Sequence, residues 1–302
     1  MSLEVGKAIE GGKPVKELHL NAYAKINLTL DVLEARSDGY HDIETVMHTI
    51  ALHDSVTLRE AGAGVEVIVH DGEVPNDHRN LVMRTAQLLR ETFKVDRNVQ
   101  IELTKRIPVA AGLGGGSADA AITLIGLAQM WKLRLDGREL LALSLKLGSD
   151  VPFFLEGGAA VARGRGERLT LLPPLPTTWV VLARPQIPVS TTWAYKQFSG
   201  STPAGRPNTA AMITAVQRED VREAGRLVGN VFEDVIAGSH PVVGDLKARI
   251  LRGETYGAGM SGTGPTVFGL MANEAAALRV ADTLRALPDV DVFITRTFAE
   301  AR

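Results

Sequence analysis

The 302-residue sequence predicts an α+β protein of two domains. Three observations carry that expectation. Strand-like runs open the chain and then alternate with helical spacings. A stretch with three prolines, LTLLPPLPTTW, reads as a linker. Beyond it, strands and helices mix in a split β-α-β style. The expected divisions are an N-terminal extension over 1–16, an N-terminal domain over 17–172 and a C-terminal domain over 173–302.

The elements follow in order. AYAKINLTLDVL alternates, with Ala22, Ala24, Ile26, Leu28 and Leu30 on one face and Tyr23, Lys25, Asn27 and Thr29 on the other. That is a period-two strand with one buried face. RSDGYHD is a turn marked by Asp38-Gly39. ETVMHTIAL, DSVTLRE and GVEVIVH read as three short strands. NLVMRTAQLLRETF has helical spacing, with Asn80 as N-cap. VQIELTK is a strand. A helix over 117–131 follows a glycine run, and GRELLALSLKLG is a helix stopped by Gly148. VPFFL reads as a buried segment and GGAAVARG as a strand. WVVLARP, PTVFGLMA and DVFITRTFA are strands; STTWAYKQF, a stretch from Asn208, PVVGDLKARIL and NEAAALRVADTLRAL are helices.

Composition removes several classes of function. With 33 basic and 35 acidic residues the formal net charge is −2, so no nucleic-acid surface is expected. There is no cysteine, which excludes a disulfide framework, a thiolate nucleophile and a cysteine metal site. The N-terminus lacks the apolar core of a signal peptide, and its first residues read as a loose extension. No stretch approaches a membrane span. A cytoplasmic protein is expected. No repeat of solenoid period occurs.

The glycine run is PVAAGLGGGSADAA: Pro108, Val109, Ala110, Ala111, Gly112, Leu113, Gly114, Gly115, Gly116, Ser117, Ala118 and onward. A glycine-rich turn before a helix presents backbone N–H groups with no intrahelical partner, at the positive end of the macrodipole. A phosphate fits there, because absent side chains let it approach the backbone. Ser117 is placed either to reach a phosphate or magnesium ion or to cap the helix. No lysine follows the glycines, so this is not a Walker loop. The dinucleotide fingerprint fails because Ser117 stands at its last position, and no nucleophile elbow forms at Ser117 or Ser261. The bland alternative is a flexible loop leading into a tightly packed small-residue helix.

Lys25 and Asn27 lie on the polar face of the first strand, which alone reads as solvated. Asp150, in GSDVPFFL, sits where turn and cap aspartates are common. Apolar sequence after it would desolvate the carboxylate unless a cation compensates. Tyr40 and His41 read as a polar loop tip, and Tyr195 as a ring on a helix. His48 and His53 have no metal-ligand spacing and read as structural. GAGMSGTGPTVFGL, with Gly259, Ser261, Gly262 and Gly264, is a second glycine-rich loop before a strand.

Taken together, three strings resemble the three motifs of the GHMP kinases, the small-molecule ATP kinases named for galacto-, homoserine, mevalonate and phosphomevalonate kinases. They are AYAKINLTLDVLEARSDGYHDIETVM, P-x3-GLGGGSADAA and GAGMSGTGPTVFGL. DGYHDIETVM and GSDVPFFL narrow the resemblance to members acting on 4-diphosphocytidyl-2-C-methyl-D-erythritol. The match spans most of the chain.

The resemblance implies an N-terminal domain like ribosomal protein S5 domain 2, a ferredoxin-like C-terminal domain and an active site between them. It implies phosphorylation of the acceptor's 2-hydroxyl in non-mevalonate isoprenoid biosynthesis. Asp150 matches the family's general base and Lys25 the lysine beside it. Tyr40, His41 and Tyr195 match cytosine contacts, and Asn27 a position near the methylerythritol. ATP is the implied donor, with Mg²⁺; Ser117 is the candidate metal ligand. The third loop would close near donor and acceptor, although Met260 stands where many relatives carry Gly. The partner is a small molecule, with neither nucleic acid nor membrane, and the chain is expected as a monomer or weak homodimer. The alternatives are a GHMP kinase with another alcohol acceptor and a nucleotide-binding module without catalysis.

Overall fold

The computed structural model describes residues 16–37, 39–60, 63–70, 74–198 and 205–299. The N-terminal extension expected before residue 16 lies outside them. Two long antiparallel strands, β1 (Glu17–Ala35) and β2 (His41–Arg59), form the spine. The two strands expected within β2 are therefore one. β3 (Val65–His70) leads to α1 (Leu81–Phe93), where Asn80 caps the Val82 amide as expected. After β4 (Val99–Thr104) comes α2 (Gly115–Met130), which begins two residues before the expected start, inside the glycine run.

The run α3 (Gly137–Leu147), α4 (Val151–Glu156), β5 (Ala159–Gly164) and β6 (Arg168–Leu172) completes the first half. VPFFL is thus a short helix rather than an unstructured buried segment; Pro152 fits its first turn, where no amide donor is needed. The glycine Gly148 does end α3, but in extended backbone rather than in the left-handed region. Asp136 caps α3 in a reciprocal box with Glu139, a signal present in the sequence as Asp-x-x-Glu.

β1 to β6 build one sheet in the order β3-β4-β2-β1, with β5 on β2 and β6 on β5. The chain then crosses the prolines into β7 (Trp179–Pro185), α5 (Thr191–Phe198), α6 (Thr209–Gln217), α7 (Val221–Arg226), β8 (Gly229–Asn230) and α8 (Glu233–Ser239). α9 (Pro241–Leu251), β9 (Thr255–Met260), β10 (Val267–Met271), α10 (Glu274–Arg285) and β11 (Val290–Arg296) follow. The second sheet has the order β11-β7-β10-β9, antiparallel throughout. This is the expected split β-α-β of ferredoxin-like type.

A returning strand and a shared core help to join the halves. β8 returns to pair in parallel with β1 in the first sheet. One buried cluster contains Ala24, Ile26 and Leu28 of β1 together with Val180, Leu182, Phe268 and Leu270 of the second sheet. The apolar face of β1 is thereby covered by the second half, at roughly 25 cal/mol for each Å² removed from water. Among the described residues no helix is long and apolar enough to cross a membrane.

Candidate active site

The polar face of β1 is not solvated. Lys25 and Asn27 are each only 4% exposed, and Thr29 is fully buried. What covers Lys25 and Asn27 is the two glycine loops. The Lys25 amide donates to Leu113 O at 3.0 Å, and its Nζ donates to Gly112 O at 2.9 Å and to Asn27 Oδ1 at 2.5 Å. Asn27 Oδ1 also accepts the Gly262 amide at 2.9 Å, while Asn27 Nδ2 donates to Thr45 Oγ1 at 2.8 Å. Ser261 Oγ donates to Gly112 O at 2.9 Å. The first strand, the phosphate-type loop and the third glycine loop are thus tied at one point.

Burial lowers the Lys25 pKa, and the Asp150 carboxylate works the other way. Asp150 occupies the N-cap position of α4, yet its side chain makes no cap hydrogen bond. No ion pair within 4.0 Å joins it to Lys25 among the described residues. The half-buried carboxylate is therefore left facing the cavity. Burial first, and Asp150 second, push the Tyr195 phenol up to about 12. Asp150 acts electrostatically on Lys25 to one side and on Tyr195 to the other.

The glycine run forms the start of α2. Gly114 is the N-cap residue with φ +72°, and the amides of Gly115, Gly116 and Ser117 have no acceptor among the described residues. Ser117 therefore does not cap the helix. Its hydroxyl has no partner among the described residues, and it lines the cavity. A Cβ on Gly114 would meet the Phe154 ring at 2.5 Å and Lys25 Cε at 3.4 Å, so only glycine fits between them. Bare amides, a free hydroxyl and a left-handed turn make a cradle that suits an anion.

A cavity of about 930 Å³ runs along these elements. Val74, Pro75, Arg79, Leu81 and Leu103 line it together with residues 108–112, the catalytic candidates Lys25 and Asp150, and Tyr40, His41, Tyr195 and Lys196. The ring centroids of His41 and Tyr195 are 5.3 Å apart, and Tyr195 packs edge-on against Phe232 at 4.9 Å. Tyr40 is exposed, with the Arg165 guanidinium 4.9 Å above its ring. All four acceptor-side candidates, Asn27, Tyr40, His41 and Tyr195, face one cavity.

Of the third loop, Ser261, Gly262 and Gly264 stand at the site, whereas Gly259 lies in β9 against Val228. Met260 is fully buried; a Cβ on Gly264 would lie 2.5 Å from its sulfur, so Gly264 accommodates the bulky residue. His48 and His53 do not line this cavity; His53 Nδ1 bonds Ala51 O at 2.8 Å and its ring packs edge-on against Tyr23. Buried His48 joins Thr49 O and the Leu175 amide, and burial lowers its pKa to about 4.

Sequence reasoning missed a buried ionic group beneath the loop. Lys105 Nζ bonds Asp54 Oδ2 and, at 2.7 Å, Asp119 Oδ2. Asp54 Oδ1 accepts the amides of Arg106 and Ile107, which lead into Pro108. The group therefore pins both ends of the glycine run. Burial raises the Asp119 carboxyl to about 7, with Asp54 adding to the shift and Lys105 opposing it. The available signal was Asp119 itself, a lone charge in a helix apolar all round.

The chain is similar to known proteins along most of its length. The model for the GHMP kinases N terminal domain matches residues 80–158, and that for the GHMP kinases C terminal matches residues 212–289. The 4-diphosphocytidyl-2-C-methyl-D-erythritol kinase of Alkaliphilus metalliredigens is 43% identical over 274 residues, covering 90% of this chain and 94% of that protein. The enzyme of the same name from Geobacillus kaustophilus is 45% identical over 286 residues, covering 94% and 98%. A crystal structure of 4-(cytidine 5'-diphospho)-2C-methyl-D-erythritol kinase superposes with TM-score 0.78 at 33% identity, covering 93% of this chain and 100% of that one. Homoserine kinase from Cytophaga hutchinsonii shares the fold, with TM-score 0.74 at 20% identity over 95% and 97% of the two chains. The chain belongs to the GHMP kinases, small-molecule kinases that use ATP, and within them to the family of 4-diphosphocytidyl-2-C-methyl-D-erythritol kinases.

Proposed function

We propose that this chain transfers the γ-phosphoryl group of ATP to the 2-hydroxyl of 4-diphosphocytidyl-2-C-methyl-D-erythritol, in the cytoplasm, as a step of non-mevalonate isoprenoid biosynthesis. The observation that carries the reading is a succession of neighbours along one cavity. The glycine loop touches Lys25, Asp150 acts on both Lys25 and Tyr195, and Tyr195 touches His41. A phosphate cradle and an aromatic group thus flank one lysine and one aspartate.

Phosphoryl transfer asks the protein mainly for alignment and charge stabilisation. The amides of Gly115 to Ser117 hold the donor phosphates. Asp150 accepts a hydrogen bond from the acceptor hydroxyl, orients it and takes its proton as the new bond forms. Lys25, held by Asn27 and Gly112, directs its remaining N–H at the transferring group and stabilises its charge. Ser117 fits Mg²⁺, since its hydroxyl is unpartnered at the cradle; when bound, the ion neutralises phosphate charge. Tyr40 and Tyr195 stack the cytosine and His41 meets its edge, while Arg165 and Lys196 complement the diphosphate. Donor and acceptor enter a single chain's cavity, so a monomer or weak homodimer suffices.

The test gives purified protein ATP, Mg²⁺ and this acceptor and follows ADP. Turnover confined to this acceptor is expected. No turnover here, with turnover of mevalonate or homoserine, would replace the acceptor; none at all would favour a non-catalytic nucleotide-binding module.

A further inference from the structure

The third glycine loop reaches Lys25 through Asn27, and it is held by a residue, Asn230, that belongs to none of the three motifs. Gly262 gives its amide to Asn27 Oδ1 at 2.9 Å and its carbonyl to Asn230 Nδ2 at 2.7 Å. The same Asn230 Nδ2 donates to Met260 O at 2.8 Å. Asn230 Oδ1 is used locally, accepting the Phe232 amide at 2.9 Å. All of its hydrogen-bonding capacity on the amide side is therefore spent on the loop.

Its own position is also constrained. Asn230 ends the two-residue strand β8, paired with Leu30 of β1, and the Val231 amide donates to Leu30 O at 3.0 Å. β1 is the strand that carries Lys25 and Asn27. Asn230 is thus referenced to the same backbone as the lysine, and it holds the loop relative to that backbone. Glu233 adds a second grip, accepting the Met260 amide at 3.0 Å. Among the described residues the Lys25 ammonium has two protein acceptors, Asn27 Oδ1 and Gly112 O, so the position of Asn27 Oδ1 sets the direction of the remaining N–H.

We propose that Asn230 is a positioning residue for phosphoryl transfer: it holds Gly262, whose amide fixes Asn27 Oδ1, which in turn aims the Lys25 ammonium. This rests on the function proposed above, in which Lys25 stabilises the transferring phosphoryl group. Asn230 is not among the residues that line the cavity. Its effect falls on alignment, and small misplacements of a catalytic group cost rate rather than binding.

Two variants test it. Asn230→Asp keeps the Oδ1 acceptor for Phe232 but cannot donate to the loop carbonyls; Asn230→Ala removes both functions. With ATP, Mg²⁺ and the cytidine diphosphate acceptor, kcat is expected to fall by about tenfold or more while both KM values stay within about threefold. Asn27→Ala and Asn230→Ala combined are expected to cost no more than Asn27→Ala alone, because both act through one oxygen. A folded variant with kcat within about twofold of wild type overturns the inference. So does a double variant whose losses multiply, or failure of both single variants to fold, which would assign the bonds to stability alone. Wild-type protein inert toward this acceptor overturns the proposed function and this inference with it. Wild-type turnover retained by both variants overturns the inference alone.

Discussion

Gly112 and Ser261 are in backbone contact: a Cβ on Gly112 would lie 2.9 Å from the Ser261 carbonyl carbon and closer still to its oxygen. Gly112 also has φ +77°, in the left-handed region. The phosphate-type loop and the third glycine loop therefore meet through bare backbone, where an L side chain is excluded twice over. Gly112→Ala is expected to lower unfolding free energy by at least about 2 kcal/mol, the left-handed conformation alone costing an L residue about 1–2. Urea denaturation measures it; an unchanged midpoint would show that the loops part without cost.

Asp150→Asn is expected to bind a non-hydrolysable ATP analogue as wild type does and to lose at least about 10²-fold in kcat. The amide keeps the shape but cannot take the hydroxyl proton. Calorimetric titration and single-turnover kinetics separate the two effects. Near wild-type turnover would remove Asp150 from the chemistry.

Lys25→Met is expected to lose at least about 10²-fold in kcat yet to gain stability at pH 7. Burial lowers the Lys25 pKa below 10.5, so the unfolded chain binds the proton more readily. Below the folded-state pKa the buried ammonium costs stability, and the cost fades as pH rises toward the unfolded value. Its partners are not stranded, since Asn27 Oδ1 keeps the Gly262 amide and Gly112 O keeps Ser261. Thermal melting at pH 7 and pH 9.5 should show an advantage that shrinks with pH; a variant less stable than wild type at pH 7 contradicts it.

His48 supplies a pH dependence of the same sign in a more acidic range. Its neutral ring donates from Nδ1 to Thr49 O and accepts the Leu175 amide at Nε2, and its folded-state pKa is about 4 against 6.5. Protonation turns the acceptor into a donor facing an N–H. Stability is therefore expected to fall as pH drops from 6.5 to about 4, by up to about 3 kcal/mol. His48→Gln should flatten that limb in a denaturation series; an equally steep limb would assign it to other groups.

Much of the molecule was legible before the fold was known. The Asn80 cap, the strand GVEVIVH, the helix NEAAALRVADTLRAL and the glycine run depend on local spacing, and each stands where the spacing put it, the run's helix starting two residues early. The aspartate in GSDVPFFL could be singled out, but not its freedom from capping, because a carboxylate before a helix ordinarily takes a cap bond. Asp54, Lys105 and Asp119 escaped notice because their partners come from three separate elements, β2, the exit of β4 and α2.

By itself the sequence determined the local periods, the small residues that leave backbone amides bare and the motifs that name the kinase family. The tertiary structure alone decided what covers each face. Period two divides β1 into two faces, but burial of Lys25 and Asn27 comes from loops far along the chain at Gly112 and Gly262. The same holds for Asn230, an ordinary polar residue in sequence that β8 brings beside β1. Hydrogen bonds and burial depend on distance in space, and spacing along a chain reports distance only within one element.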